Sequence, residues 1–70
     1  MKHIDSPMAG TVWKIVKAPG DTVDFGDTVA ILESMKMEIP VESTHSGTIT
    51  EILVKEGDVV DEGTVIARLG

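Results

Sequence analysis

No cysteine occurs in the chain, so a disulfide, a thiolate metal site and a cysteine nucleophile are all excluded. Aromatic residues are nearly missing as well: Trp13 and Phe25 are the whole supply. An interior must therefore be built from Val, Ile, Leu, Met and Ala. Cations are scarce, with six Lys and Arg against twelve Asp and Glu and a formal net charge of −6. Nucleic-acid binding needs cations that displace the counterions of phosphate, so this balance argues against it. An anionic membrane surface is disfavoured for the same reason. No apolar run reaches the length of a signal-peptide core or a membrane span, and a cytoplasmic setting is the default expectation. The two histidines, His3 and His45, cannot supply a metal site by themselves and read as solvated surface residues. Seventy residues make one domain at most, 1–70, with little room for a catalytic pocket.

What is present is a repeat. Residues 1–33 align without a gap on residues 38–70, an offset of 37. The identities are Ser6/Ser43, Gly10/Gly47, Thr11/Thr48, Ile15/Ile52, Gly20/Gly57, Asp21/Asp58, Val23/Val60, Asp24/Asp61, Gly26/Gly63, Ala30/Ala67 and Leu32/Leu69. Unrelated segments of ordinary composition would share roughly two or three. Four further pairs keep apolar type: Ile4/Val41, Val12/Ile49, Val16/Leu53 and Val29/Ile66. Two copies of one unit imply a pseudo-twofold fold. The residues in neither copy, Ser34-Met35-Lys36-Met37, form the joint, and symmetry puts the joint and the chain ends at opposite ends of the molecule.

Each half reads as strands with tight turns. Val12–Val16, Ile49–Val54, Val29–Leu32 and Val65–Leu69 are rich in β-branched residues. Val29-Ala30-Ile31-Leu32 is a continuous apolar run, as where both faces of a strand are partly covered. Ala18-Pro19-Gly20-Asp21 favours a type II turn, and Lys55-Glu56-Gly57-Asp58 repeats its glycine. Gly10, Gly20, Gly26, Gly47, Gly57 and Gly63 are read together as structural turn residues, since no phosphate-loop spacing occurs. The aspartates Asp21, Asp24, Asp58 and Asp61 read as turn caps. Pro40 cannot donate to a ladder, so its strand belongs at an edge or carries a bulge. The expected fold is all-β: a flattened sandwich or barrel of about eight short strands, its core shared between the halves.

A two-residue hairpin across the joint would put Met35 and Lys36 at its tip. An ordinary lysine amine is protonated at neutral pH and is a poor nucleophile. Lys36 therefore reads as an accessible amine that another enzyme must modify, not as a catalyst. Two large apolar side chains beside an exposed lysine are unusual on a surface built for solubility. Methionine is soft and adaptable, and suits a surface that must fit several partners.

The segment Glu33-Ser34-Met35-Lys36-Met37-Glu38 resembles the biotin-attachment motif of the biotinyl/lipoyl domains, in which Met-Lys-Met surrounds the modified lysine. Pro7-Met8-Ala9-Gly10 is similar to that family's N-terminal segment. Val16 to Gly26 is similar to its glycine–aspartate turn region, and Ser46-Gly47 to Gly63 to the second copy. The resemblance covers nearly the whole chain. It implies two four-stranded antiparallel sheets and covalent biotin on Lys36. It also implies recognition through Glu33, Ser34, Met35, Met37 and Glu38. The partners it implies are a biotin protein ligase, a biotin carboxylase and a carboxyltransferase, between which the carrier, itself non-catalytic, would shuttle a carboxyl group. The gapless joint leaves no room for the inserted "thumb" of some bacterial acetyl-CoA carboxylase carriers. The chain looks more like carriers of other acyl-CoA, oxo-acid or urea carboxylases, or a minimal stand-alone carrier.

The alternative on the same fold is a lipoyl carrier domain of a 2-oxo-acid dehydrogenase complex. That family usually places Asp before its lysine and lacks the paired methionines, so Met35 and Met37 favour biotin. An unmodified adaptor barrel would need flanking helical hairpins that these residues do not make.

Overall fold

The computed structural model describes residues 2–70. Eight strands are formed among them: β1 (Lys2–Asp5), β2 (Gly10–Ile15), β3 (Thr22–Val23), β4 (Thr28–Ser34), β5 (Met37–Glu42), β6 (Gly47–Ile52), β7 (Val59–Val60) and β8 (Val65–Leu69). They make two four-stranded antiparallel sheets, ordered β1-β8-β6-β3 and β5-β4-β2-β7. We call the first the terminal sheet and the second the hairpin sheet. Each sheet draws strands from both halves of the sequence, and exchanging each strand for its mate 37 residues away, forward from the first half and back from the second, converts one order into the other. Neither half could therefore bury its apolar face alone.

The core lies between the sheets. Its twelve apolar members fall into six offset pairs: Ile4/Val41, Val12/Ile49, Val23/Val60, Val29/Ile66, Ala30/Ala67 and Leu32/Leu69. Even the two buried polar residues form such a pair. Ser6 Oγ donates to the Met8 carbonyl at 2.6 Å, and Ser43 Oγ donates to the His45 carbonyl, so neither hydroxyl is left unsatisfied. The interior contains no aromatic ring among the described residues.

The turns repeat as closely. Asp21 N–H donates to the Ala18 carbonyl at 3.0 Å, and Asp58 N–H to the Lys55 carbonyl at 3.0 Å. Gly20 and Gly57 have φ of +96° at the third position of these turns, which a type II turn requires. Gly26 and Gly63 take φ of +91° and +86° in the second turn. Two expectations need correction here. Gly10 and Gly47 are not turn residues; they open β2 and β6. Asp24 and Asp61 do not cap. Asp21 and Asp58 do, accepting from Ala18 N–H at 2.8 Å and Lys55 N–H at 2.9 Å. In the second turn the acceptors are Asp27 Oδ2 and Thr64 Oγ1, bonded by the N–H groups of Asp24 and Asp61.

Bulges explain the run Val29-Ala30-Ile31-Leu32. The β4–β5 register shifts between Thr28 and Ala30, and the β1–β8 register shifts between Ile4 and Asp5, opposite the offset-related Ile66. The extra residue lets Val29 and Ala30, consecutive in sequence, both face the core. The run thus reflects a bulge and not a strand covered on both faces. A second pair of bulges falls at Trp13 in β2 and Thr50 in β6. Pro40 lies on β5, an edge strand of the hairpin sheet, where its missing N–H is harmless.

Candidate functional site

β4 and β5 are joined by two residues only. Ser34 and Met37 are the last paired residues, and Met35 and Lys36 make the turn. Both have positive φ, 51° and 65°, which defines a type I′ turn. That turn matches the right-handed twist of the flanking strands. Asn-Gly would be its preferred sequence, because side chains disfavour the left-handed region by about 1 kcal/mol or more per residue. Met and Lys hold this geometry because the long β4–β5 ladder, from Thr28↔Glu42 to Ser34↔Met37, over-determines it.

Lys36 is exposed, and so are its neighbours. Met35 is 90% exposed and Met37 58%, so neither methionine tucks onto the body. Among the described residues Arg68 and Glu51 form an ion pair at 3.4 Å and His3 Nε2 lies 3.2 Å from Asp5 Oδ1, and neither contact involves the hairpin. Glu33 and Glu38 face each other directly across the two strands. Like charges so placed weaken a sheet. Ser34, partly buried, is the most sheltered residue of the segment. No pocket opens beside the lysine, and no described group of three His, Asp or Glu could hold a metal. An amine held this way is reachable from outside and has no neighbour placed to activate it.

Gly10 has a role at this site that the sequence did not disclose. A Cβ there would lie 3.1 Å from the Glu33 carbonyl oxygen and 3.5 Å from Ser34 Cβ. The absent side chain lets β2 close against β4 just below the hairpin. The signal available in the sequence was Gly10/Gly47 conservation between the halves, which also fits a turn. Thr11 and Val59 were likewise passed over. Thr11 pairs with Glu33 on one side and Val59 on the other, which extends the hairpin's outer surface across the sheet.

The chain ends lie away from this site. β2 runs from Gly10, beside the hairpin, towards the turn at Ala18–Asp21. The chain then reaches Val23, which pairs with Gly47, and Gly47 lies against the Gly70 carbonyl. Lys2 pairs with Leu69 there. The long dimension of the molecule is 32 Å, against 19 and 18 Å across.

Residues 2–69 match the family model Biotin_lipoyl, described as "Biotin-requiring enzyme". The chain belongs to this family. Among curated relatives of the Biotin_lipoyl domain described here, the biotin/lipoyl attachment protein of Bacillus subtilis is 59% identical over 34 residues, 49% of this chain and 47% of that protein. The methylmalonyl-CoA carboxyltransferase 1.3S subunit of Propionibacterium freudenreichii is 58% identical over 36 residues, 51% of this chain and 29% of that protein. The aligned segments span about half or less of these relatives. Among solved structures, the urea carboxylase of Kluyveromyces lactis superposes with a TM-score of 0.91 at 42% identity. That match covers 99% of this chain and 6% of the much longer enzyme. No described helix is long and apolar enough to cross a membrane.

Proposed function

We propose that this chain is a biotin carboxyl carrier and that Lys36 is its attachment residue. The observation that carries the reading is an exposed amine at the tip of a type I′ hairpin, between two exposed methionines, in a member of a biotin-requiring family. Biotin, once bound, supplies a ring nitrogen that accepts a carboxyl group and gives it up. Attachment joins biotin's carboxyl carbon to the lysine amine as an amide. It requires a biotin protein ligase that first uses ATP to convert the carboxyl to an acyl adenylate, releasing pyrophosphate. The amine then attacks the acyl carbon, the bond from that carbon to the AMP oxygen breaks, and AMP leaves. The ligase takes up the amine's proton, since no residue beside Lys36 is placed to do so.

This chain's own task is presentation. The two-sheet body fixes the hairpin backbone, while the lysine stem leaves the group free to reach out. Tethering raises the group's local concentration at each partner without a catalytic residue in the carrier. The relatives named as a carboxyltransferase subunit and a urea carboxylase support partners of the biotin carboxylase and carboxyltransferase kind.

The test is intact-mass analysis after co-expression with a biotin protein ligase. The expected result is one biotinyl adduct on the wild type and none on Lys36→Ala, with equal melting temperatures. A lipoyl adduct in place of the biotinyl one would reverse the assignment in favour of a 2-oxo-acid dehydrogenase carrier. Streptavidin binding by Lys36→Ala would move the site to another lysine.

A further inference from the structure

Sulfur occurs in this chain only as methionine: there are four methionines and no cysteine. No described methionine belongs to the core, which is made of Val, Ile, Leu and Ala. The described methionines gather at the hairpin end instead. Met35 and Met37 flank Lys36, and both are exposed. Met8 is partly buried in the segment that leads to Gly10, whose backbone lies close against Glu33 and Ser34. The fold does not ask for sulfur at these places. The offset mate of Met8 is His45, and a type I′ turn favours Asn-Gly where this chain has Met35 and Lys36. Leucine would supply similar bulk beside the lysine without an oxidisable atom.

An exposed thioether is open to two-electron oxidants of the peroxide class. A sulfur lone pair attacks one peroxide oxygen as the O–O bond breaks, and an S–O bond forms. The displaced hydroxide takes the proton left on the transferred oxygen and departs as water. The sulfur is thereby oxidised to the sulfoxide and the peroxide reduced. No thiol in the chain competes for the oxidant. The product is polar and chiral where the thioether was apolar and flexible. The body of the domain is spared, because neither Met35 nor Met37 packs in the core. The change falls where any enzyme acting on a group carried by Lys36 must approach. An enzyme that covers these two side chains would have to bury an S–O dipole for which it has no partner. Reversal needs thiols from outside: a methionine sulfoxide reductase releases the oxygen as water while a pair of thiols becomes a disulfide.

Resting on the carrier reading, we propose that Met35 and Met37 are a reversible oxidation site that switches the carrier off. Their sulfoxides leave the domain folded and biotin attached to Lys36, but they impede carboxylation of that biotin.

The test treats the biotinylated domain with hydrogen peroxide and scores each methionine, and the biotin, by peptide mass. Carboxylation by the biotin carboxylase of the same organism, with ATP and bicarbonate, is then measured at limiting domain. Once Met35 and Met37 have each gained one oxygen, the rate is expected to fall about fivefold or more, as for a polar group buried unpaired. The melting temperature should hold, and methionine sulfoxide reductase with a thiol reductant should return the rate. Met35→Leu combined with Met37→Leu should keep its own untreated rate through the same exposure. That variant carries the same biotin, whose ring has a thioether of its own. An equal loss in the variant would therefore assign the effect to biotin and overturn the proposal. So would an unchanged rate with both methionines oxidised, resistance of both to peroxide, or a drop in melting temperature that accounts for the loss. A wild type that accepts no biotin overturns the carrier reading and this proposal with it, and the mass spectrum shows that before any peroxide is added.

Discussion

The hairpin sheet and the terminal sheet enclose matching side chains and expose different ones. Inside, Leu32 is matched by Leu69 and Val12 by Ile49, all four buried in the core. Outside, Trp13 stands where the other sheet has Thr50. Close packing holds the interior, because either copy must fill the same space against the other. Water imposes no such shape on the exterior, so the two faces were free to diverge. The interior therefore reports on the fold, which the exteriors do not constrain.

The comparison can be broken from the inside. Leu32→Ala and Leu69→Ala should each cost about 3 kcal/mol, read from denaturant midpoints. A difference above about 1.5 kcal/mol would mean that the two core sites are not equivalent. The glycines that open β2 and β6 sharpen the contrast. Gly10→Ala presses on the Glu33 carbonyl at 3.1 Å, in the middle of a paired ladder, whereas Gly47→Ala meets the terminal Gly70 carbonyl at 3.4 Å. The first should cost roughly 1 to 2 kcal/mol, and the second less than half of that, because 3.4 Å is close to ordinary van der Waals contact and 3.1 Å is not. Equal costs would show that the hairpin end is no more tightly held than the chain ends.

A smaller effect of opposite sign is expected at the turn. Lys36→Gly relieves a left-handed side chain and should raise stability by up to about 1 kcal/mol while removing the amine. A destabilised variant would mean that Lys36 contributes packing that its exposure does not suggest. Smallest of all, Met35→Leu and Met37→Leu should shift stability by less than about 0.5 kcal/mol, since both side chains are exposed and volume is conserved. Carboxyl transfer by the biotinylated variants should fall more than stability does. A large drop in melting temperature would instead make the methionines part of the core.

Much of this architecture was legible because the repeat is gapless. Val23/Val60, Ala30/Ala67 and Leu32/Leu69 are identities and also core pairs, since burial is what preserved them. The Pro19-Gly20 turn could be read for the same reason: only glycine takes φ of +96° without strain. Gly10 could not be placed, because close backbone approach and turn geometry leave the same residue behind. The second-turn caps at Asp27 and Thr64 were hidden because their side chains differ while their role is shared. The face at Trp13 was hidden for another reason: no local pattern says which way a side chain at a bulge points.

The amino-acid order alone determined the strands, the tight turns, the duplicated unit and the lysine left between its copies. Those depend on neighbours in sequence: β-branched runs, Pro-Gly pairs and an offset of 37. Only the tertiary structure decided that each sheet mixes both halves, that four bulges turn consecutive residues to one side, and that Met35 and Lys36 adopt a turn their side chains disfavour. Those depend on contacts between residues far apart in the chain, whose combined burial outweighs local preference.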